Sequence, residues 1–428
     1  MHYIRLLRPV SVESSSNRRE DTLSVLLTIT TDLGDSFFSP DEPLALGLVL
    51  ESAGGAQKGK VLACPADKGS PLQWRAGMRV LKAQLRLRTP LPNEKTTVRI
   101  FARSHQSKAP SPRPYWRHGY EEEPTELVVP VSVDMVNRRC APVSLRQMPL
   151  PGWGDDDDAA SDGNGHDLAL GEDIGESIAR HIWDAGLVTA SFLSDSCRSA
   201  DVMAEMLPMR RHDDQIGILE LGCGVGVLGT TLAAVVFDAA AAQGRSLRSA
   251  HVLLTDVDEA EERARANIAR AEAVLETRRR RRHTEDENER ERPPCAVAAA
   301  AELQYENLDW DDGRRGRFGP RTAARGWDLV VLSDCTYNVD SLPALLATLR
   351  ALHYHSFVHD GTDTRVLLAT KPRHASEEAL FGLLHEFGWS HRVARTIPLP
   401  RVGAEDERVD IYVLTKGAGR EETAAAGE

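Results

Sequence analysis

A glycine-rich turn directly after an apolar run constrains the fold of this chain most. The turn ELGCGVG (220–226) follows the apolar residues GIL (217–219) and precedes an Ala-rich stretch (225–242) that is typical of a helix. Glycines at alternate positions between a strand and a helix let the backbone approach a ligand closely, and they point the amide groups of the helix N-terminus at that ligand. The pattern therefore predicts a strand–turn–helix unit with a ligand site at the turn.

Strand-like and helix-like segments alternate from about residue 170 onward. Strands alternating with helices of 10–15 residues indicate a mostly parallel sheet covered on both faces. A strand near the C-terminus is usual in such sheets when one edge is antiparallel. The fold class predicted for residues 170–417 is therefore α/β, with a Rossmann-like sheet flanked by helices. The strands are expected at 216–224, 251–258, 327–335, 364–371 and 408–416, and the helices at 176–194, 225–242, 259–276, 341–355 and 377–388.

The first 150 residues follow a different pattern. Short runs rich in Val, Leu, Ile and Thr, several of which alternate apolar and polar residues, are separated by clusters of Gly, Pro, Asp or Asn. This is the signature of an antiparallel, mainly-β module, either a small β-sandwich or an open sheet. No combination of residues within it suggests chemistry. The runs are 23–33, 44–52, 78–88, 96–103 and 125–136.

Three segments are expected to lie outside the packed domains. Residues 151–169 combine Gly, Asp and Ser with almost nothing to bury, which predicts an acidic, flexible linker. Residues 277–294 form a charge run without apolar periodicity, which indicates a solvated insertion. Five consecutive Arg residues there leave a nuclear-import or RNA-contact role open. Residues 418–428 are expected to form a disordered tail.

Composition and charge exclude several classes of protein. The chain has 428 residues with a net charge of −12, so its overall charge does not favour nucleic acid, which requires a basic face. Six scattered cysteines without a Cys-x-x-Cys pair argue against a zinc site and a disulfide framework, and no metal is expected. Neither a signal-peptide core nor an apolar run of about 18 residues is visible. We therefore expect a soluble protein of the cytoplasm, the nucleus or both.

Two carboxylates stand at the predicted strand ends beside the glycine turn. Glu220 is expected at the end of the first strand, where an acid repels a pyrophosphate but can pair with the ammonium group of a methionine. Asp256 ends the next strand, where a carboxylate can accept both hydroxyls of a ribose. Dinucleotide dehydrogenases prefer Gly-x-Gly-x-x-Gly, whereas the glycines here stand at 222, 224, 226 and 229. Each acid alone could be a helix N-cap, but together with the turn they predict a nucleoside cofactor site.

The ordered motifs between 170 and 417 resemble those of class I, seven-strand S-adenosylmethionine-dependent methyltransferases. Three of them are similar to methyltransferase family 16, which includes protein-lysine methyltransferases. They are a Trp-Asp-Ala stretch at 183–185, a Leu-x-Trp element at 308–310 and an Asp-x-x-Tyr signature at 334–337. The resemblance implies S-adenosylmethionine as cofactor and a lysine side chain of an intracellular protein as acceptor. The N-terminal module and the charge run lie outside what compact family members contain.

The same resemblance implies roles for individual residues of the cofactor site. One tryptophan packs near the cofactor, the glycine turn lines its methionine end, an acid holds the ribose, and a second tryptophan with its acidic neighbour borders the adenine. The tryptophans could equally be core or interface residues. The residues assigned to the cofactor are Trp183, Glu220, Gly222, Cys223, Gly224, Asp256, Asp309, Trp310 and Ser333.

Asp334 and Tyr337 are the catalytic candidates that the resemblance indicates. Methyl transfer from a sulfonium needs no acid for the leaving group, so positioning of a neutral nucleophile supplies most of the rate. A lysine amine, with a reference pKa of about 10.4, must first lose a proton. Asp334 can accept a hydrogen bond from the amine, and Tyr337 can contribute an aromatic wall and a hydroxyl. Alternatively, Asp334 caps the next helix and Tyr337 fills a gap.

Other substrates and other functions stay open. Residues 338–340 (Asn-Val-Asp) lack the Pro-Pro-Tyr that follows Asn in enzymes that methylate Gln or adenine, so a nucleic-acid base is disfavoured. The segment KPRH (371–374) lies on the same edge and could contact substrate, although a solvated loop is the favoured interpretation. The alternatives to a lysine methyltransferase are an enzyme of the same fold acting on a small molecule or RNA, and an inactive, cofactor-binding scaffold protein.

Overall fold

Two different architectures follow one another along the chain in the computed structural model. In the first, the described residues form β-strands and no helix, and the second alternates strands with helices. The residues that the structure describes are 1–14, 21–52, 61–63, 72–87, 91–103, 128–150, 167–175, 178–207, 214–288, 300–373, 375–399 and 407–416.

The N-terminal module is a β-sandwich of two sheets. One sheet has the order β2-β3-β1-β9 with β7 beside β3, and the other has the order β13-β12-β10-β8-β4-β5 with β11 beside β10 and β6 beside β4. Alternate residues of β3, such as Leu23 and Val25, point into a core that also contains Leu46 and Leu48 of β4. A core shared by both sheets distinguishes the sandwich from the open sheet. The strands are β1 (His2–Leu6), β2 (Ser11–Ser14), β3 (Asp21–Thr30), β4 (Leu44–Ser52), β5 (Val61–Ala63), β6 (Leu72–Trp74), β7 (Leu81–Leu87), β8 (Thr96–Ala102), β9 (Val128–Val129), β10 (Val131–Val136), β11 (Arg139–Cys140), β12 (Val143–Met148) and β13 (Leu168–Asp173).

Strand β13 extends the module beyond the boundary expected at 150. It pairs antiparallel with β12, from Leu168 opposite Met148 to Asp173 opposite Val143. The strand therefore crosses residue 170, where the sequence predicts that the second domain begins. Most of the predicted linker, residues 151–166, lies outside the described residues.

The second domain is built on a seven-strand sheet of order β16-β15-β14-β17-β18-β20-β19, which confirms the predicted α/β class. Strand β20 alone runs antiparallel to its neighbours. The chain reverses its direction of travel through the sheet between β14 and β17, and ligands of open α/β sheets bind beyond the carboxyl ends of strands at such a point. The elements are α1 (Asp184–Ser196), α2 (Ala200–Met206), β14 (Gln215–Leu221), α3 (Val227–Ala242), β15 (Ser249–Asp256), α4 (Asp258–Asn288), β16 (Ala300–Asn307), α5 (Trp310–Gly313), β17 (Leu329–Ser333), α6 (Leu342–Asp360), β18 (Arg365–Thr370), α7 (Ala379–Glu386), β19 (Trp389–Pro398) and β20 (Arg408–Lys416), with 3-10 turns at Ile178–Arg180, Thr322–Ala324, Val339–Ser341 and Ala375–Glu378.

Both faces of this sheet are covered. Ile216 and Ile218 of β14 pack in a core with residues of α1 and α3, whereas Leu219 and Leu221 pack on the opposite face with α6 and α7. The first core also contains Met148 and Leu170 of the N-terminal module, among others. The module and the α/β domain therefore share one continuous apolar core. No helix in the described ranges has the length and apolar character that crossing a membrane requires.

Two of the expected local structures are corrected. The helix predicted over 176–194 is divided into a 3-10 turn at Ile178–Arg180 and helix α1, which begins at Asp184. The charge run predicted as a solvated insertion over 277–294 is helical as far as Asn288 because α4 continues into it. Arg278 is buried and lies 3.3 Å from Asp238, and Arg280 pairs with Glu276 one turn earlier, so ion pairs support the extension. Residues 289–294 and the tail 418–428 lie outside the described residues.

Candidate cofactor and acceptor site

The glycine turn between β14 and α3 has a left-handed backbone at alternate positions. Gly222 and Gly224 have φ angles of 63° and 53°. A Cβ atom added to Gly222 would lie 2.6 Å from the Sγ atom of Cys335, so both the backbone and the available space require glycine there. A Cβ added to Gly224 would meet only the carbonyl oxygen of Ala179, at 3.4 Å. The turn thus forms a backbone cradle whose shape depends on glycine.

Asp256 at the end of β15 lies directly against this cradle. Its Oδ2 atom accepts a hydrogen bond from the amide of Gly224 at 2.7 Å, and its Oδ1 atom accepts one from Val257 at 2.7 Å. Burial raises the pKa of this carboxyl group. Because each carboxylate oxygen can accept more than one hydrogen bond, both oxygens keep capacity for further donors.

Glu220 lies beneath the turn. Its Oε2 atom accepts a hydrogen bond from the amide of Gly229, in the first turns of α3, at 2.8 Å. The side chain is 2% exposed, and burial raises its pKa to about 8. Glu220 therefore anchors the turn to the helix, a contact that the sequence did not predict, and offers almost no surface to a ligand.

Cys223 and Trp310 also meet at the turn. The amide of Cys223 donates to the carbonyl of Thr255 at 3.0 Å, which joins the end of β14 to the end of β15. Burial raises the pKa of the Cys223 thiol well above its ordinary value, so the thiol packs as a neutral group. The Cζ2 atom of Trp310 lies 3.3 Å from the Cβ position of Gly222, which places the indole against the cradle.

Asp309 and Ser333 contact residues outside the glycine turn. Asp309 is exposed and caps α5, since its Oδ1 atom accepts from the amide of Asp311 at 2.8 Å. Ser333 ends β17, and its Oγ atom lies 3.0 Å from the Cβ position of Gly186 in the first turn of α1. Ser333 is therefore close to the start of α1, and Asp309 contributes a helix cap beside Trp310.

Trp183 connects the segment above the cradle to the neighbouring strand end. It stands at the N-cap of α1, and its indole Nε1 donates to the carbonyl of Ile178 at 3.1 Å. The guanidinium carbon of Arg373 lies 5.8 Å from the centre of its ring. Trp183 thus lies between the glycine turn and the residues that follow β18.

Asp334 occupies the carboxyl end of the neighbouring strand β17 in a strained conformation. Its φ angle of 53° is unusual for a residue other than glycine, and such strain concentrates at functional sites. Its Oδ1 accepts from Nη1 of Arg373 at 2.8 Å, and its Oδ2 accepts from the amide of Gly186 at 3.1 Å. The side chain is 8% exposed, and burial raises its pKa to about 6 although Arg373 lowers it.

The alternative roles of Asp334 and Tyr337 do not match this geometry. Asn338, and not Asp334, caps the turn that leads into α6, since its Oδ1 atom accepts from the amide of Asp340 at 3.1 Å. Tyr337 is 56% exposed and so does not fill a gap in the core. It lies three residues after Asp334, at the open edge of the sheet.

Lys371 is buried and Arg373 is half-buried, and both form ion pairs, so the solvated loop predicted for 371–374 is wrong at these two residues. The Nζ atom of Lys371 lies 2.8 Å from Oδ2 of Asp184 and 3.0 Å from Oε1 of Glu407. Although burial lowers the pKa of Lys371, these carboxylates raise it well above its ordinary value. Arg373 pairs with Asp334 and, through its other terminal nitrogen, with Asp32. His374 lies outside the described residues.

The N-terminal module contributes three residues to this ion-pair network that the sequence did not indicate: Met1, whose amino group lies 3.3 Å from Oδ2 of Asp184, Tyr3 and Asp32. Tyr3 donates its hydroxyl to Oδ1 of Asp184 at 2.6 Å, and Asp32 accepts from the backbone amide of Asp184 at 3.2 Å. Nothing in the local sequence around Tyr3 or Asp32 marks them, because their partners lie more than 150 positions away. No group of three or more potential metal ligands occurs among the described residues.

A family model described as "Lysine methyltransferase" matches residues 162–284 and 292–387, together just over half of the chain. The chain belongs to this family, methyltransferase family 16. The family and the seven-strand fold together imply binding of S-adenosylmethionine.

The individual proteins that resemble this family 16 protein share little sequence identity with it. It is 27% identical over 246 residues to UPF0665 family protein C23C4.06c of Schizosaccharomyces pombe, a match that covers 57% of this chain and 55% of that relative. The chain thus spans about half the length of the relative it matches. Among solved structures it is similar to TYW2 of Pyrococcus horikoshii in complex with MeSAdo (11% identity, 66% of this chain, 75% of that chain, TM-score 0.30) and to a SAM-dependent methyltransferase of Methanosarcina mazei (12%, 48%, 93%, TM-score 0.27). Similarity at this level carries no information about substrate.

Proposed function

We propose that this family 16 methyltransferase transfers the methyl group of S-adenosylmethionine to a lysine side chain of another protein. The observation that carries the proposal is the position of Asp334. It is a buried carboxylate at the carboxyl end of β17, next to the strand that carries the glycine cradle, and its backbone is held in a strained conformation. The description of the family as lysine methyltransferases supports the same acceptor.

The cradle fits the cofactor that the family implies. Gly222 leaves backbone exposed where a Cβ atom would intrude, Gly224 donates its amide to Asp256, and Asp256 keeps acceptor capacity for ribose hydroxyls beside them. The indole of Trp310 offers an apolar wall for adenine, and Trp183 lies beside the 3-10 turn whose Ala179 faces Gly224. Of the other residues assigned to the cofactor, Cys223 belongs to the turn itself, Asp309 stands beside Trp310 and Ser333 ends β17. When bound, the sulfonium supplies an electrophilic methyl carbon.

Asp334 would receive and orient the lysine. Its pKa of about 6 leaves the carboxylate mostly ionised at neutral pH, so it attracts an incoming ammonium group and then accepts a hydrogen bond from the neutral amine. The rate enhancement comes from alignment of the amine nitrogen with the methyl carbon, and not from removal of a proton by an obligatory base. The exposed ring of Tyr337 would cover the aliphatic part of the lysine at the mouth of the site.

Lys371 does not compete with the substrate lysine. Asp184 and Glu407 hold its ammonium group, with Asp32 at 3.8 Å, and its raised pKa keeps it charged, so it is neither a nucleophile nor a base at neutral pH. Its fixed positive charge, together with the amino group of Met1 at 3.3 Å, neutralises Asp184.

Labelling of a cell lysate with radioactive S-adenosylmethionine tests the proposal. The wild-type protein should label protein bands, and Asp334→Ala should abolish that labelling while the Kd for the cofactor stays nearly unchanged. Asp256→Ala is the matched control: it should weaken cofactor binding itself. Label that enters RNA or metabolites but no protein would contradict a lysine acceptor. Loss of cofactor binding in Asp334→Ala would instead assign Asp334 to the cofactor site.

A further inference from the structure

The N-terminal module reaches the acceptor edge of the α/β domain through the turn that follows β3. Asp32 in this turn is 4% exposed. Its Oδ1 atom accepts from the amide of Leu33 at 3.0 Å, and its Oδ2 atom accepts from the amide of Asp184, the first residue of α1, at 3.2 Å. Because Trp183 provides no side-chain cap for α1, this hydrogen bond caps the helix from the other domain. Asp32 is therefore a fixed anion that the module inserts between α1 and β18.

Arg373 connects this anion to Asp334. One terminal nitrogen, Nη1, lies 2.8 Å from Oδ1 of Asp334, and the other, Nη2, pairs with Oδ2 of Asp32. A guanidinium group is planar and rigid, so a carboxylate that fixes one of its nitrogens also fixes the direction of the other. The second oxygen of Asp334 is held by the amide of Gly186 at 3.1 Å. Both oxygens of Asp334 are thus tethered, one of them through Arg373.

Stability alone does not account for this chain of charges. The module already packs on the α/β domain through apolar residues such as Met148, Leu168 and Leu170. Buried ion pairs cost desolvation, and well-packed apolar side chains of similar volume are often as stable. The ion pairs are located at the strand end that carries Asp334, where orientation of a carboxylate matters for transfer.

We propose that Asp32 is a positioning residue: through Arg373 it fixes the carboxylate of Asp334 for the incoming lysine, so the N-terminal β module forms part of the acceptor site. This inference rests on the proposed lysine methyltransferase function. It gives the module a role in turnover that is separate from recruitment of substrate.

A double-mutant cycle of Asp32→Asn and Arg373→Gln tests the inference. Asn keeps an acceptor oxygen for the amide of Asp184 but loses the charge that holds Arg373. Asp32→Asn should lower kcat for lysine methylation about tenfold or more, with the cofactor Kd unchanged within about twofold. In the Arg373→Gln background the same change should cause no further loss, because the two residues act through one contact. Asp35→Asn is the matched control: Asp35 lies exposed in the same turn and accepts a local hydrogen bond from the hydroxyl of Thr31 at 2.6 Å.

Hydrogen exchange at the amide of Gly186 provides a readout that does not depend on turnover. This amide lies in the first turn of α1, where amides have no partner within the helix, and it donates to Asp334. Its protection should fall in Asp32→Asn and Arg373→Gln alike, and no further in the double variant. Melting temperatures identify variants that fail to fold, and Arg373→Lys, which keeps the charge but cannot span both carboxylates, replaces Arg373→Gln if that variant is unfolded.

The outcomes separate the inference from the function on which it rests. If Asp32→Asn behaves like Asp35→Asn, or if its effect is equally large in both backgrounds, Asp32 does not act through Arg373 and the inference is overturned. If the wild-type protein methylates no lysine while the protection of Gly186 follows the expected cycle, the proposed function fails and the coupling between Asp32 and Asp334 stands.

Discussion

Gly222→Ala should disrupt the cofactor cradle through two separate effects, one on the backbone conformation and one on side-chain packing. The φ angle of 63° is a conformation that costs an alanine about 1–2 kcal/mol. The new Cβ atom would also lie 2.6 Å from Sγ of Cys335 and 3.3 Å from Cζ2 of Trp310, an overpacking that costs about 1–3 kcal/mol. The total is about 2–5 kcal/mol, the sum of the two ranges. Part of it should appear as a loss of unfolding free energy, and the rest as weaker binding because the turn must move.

Urea unfolding measures the loss of unfolding free energy, and calorimetry with S-adenosylmethionine measures the loss of binding free energy. If the whole cost fell on binding, the Kd would rise about 30-fold or more, since about 1.4 kcal/mol corresponds to a factor of ten. Cys335→Ala in the Gly222→Ala background should restore the steric part but not the conformational part. Gly244→Ala is the matched control: Gly244 has a φ angle of 67° and nothing within 4 Å of its Cβ position, so it should lose stability without losing cofactor affinity.

The cradle geometry would be refuted by either of two results. One is a Gly222→Ala protein that binds the cofactor as tightly as the wild type and unfolds at the same urea concentration. The other is a double variant with Cys335→Ala that gains nothing over Gly222→Ala alone, because the sulfur atom would then not be the obstructing group.

Three further predictions concern buried polar groups. Because burial raises the pKa of Glu220 to about 8, the folded state holds a proton that the unfolded state has lost, and stability falls as the pH rises towards 8. Between about pH 6 and pH 8 the wild type should therefore lose about 2 kcal/mol more than Glu220→Gln in urea unfolding, and parallel curves would contradict this. The kcat/KM for lysine methylation should fall as the pH drops through about 6, because Asp334 then becomes protonated and no longer attracts an ammonium group. If kcat/KM instead fell near pH 4, the ordinary range of Asp, another group would be responsible. Asn267→Ala removes the bonds that join helix α4 to Gly171 of β13 and to Val225 beside the cradle, at 2.7–2.9 Å, and should cost about 3 kcal/mol in urea unfolding, whereas a change below about 1 kcal/mol would show that these groups find other partners.

The parts of the fold that the sequence predicted are those with a strong local pattern. Strand β14 is almost wholly apolar because it lies at the centre of a sheet with both faces covered, and the glycine turn after it is local by nature. Strands β16 and β19 were missed. Both lie at edges of the sheet. Strand β19 exposes polar side chains such as His391 and Arg392, so its sequence does not show the regular apolar pattern of a strand.

The site was predictable only where its residues belong to a local motif. Gly222, Asp256 and Asp334 each stand directly after an apolar strand, so their place at one edge of the sheet followed from the fold. Asp32 could not be found in this way, since its partner Arg373 lies 341 positions further along the chain. Lys371 and Arg373 were assigned to solvent because isolated charges usually are exposed, and only the assembled structure shows the carboxylates that compensate them.

Identification of the acceptor atom distinguishes lysine methylation from every other transfer reaction. The protein is incubated with S-adenosylmethionine that carries a heavy methyl group and with a cell lysate, and the labelled products are sequenced by tandem mass spectrometry. We expect heavy methyl groups on the Nζ atoms of lysine in a defined protein, present with the wild type and absent with Asp334→Asn. Heavy methyl on another side chain, on RNA or on a metabolite, or equal labelling by Asp334→Asn, would contradict it.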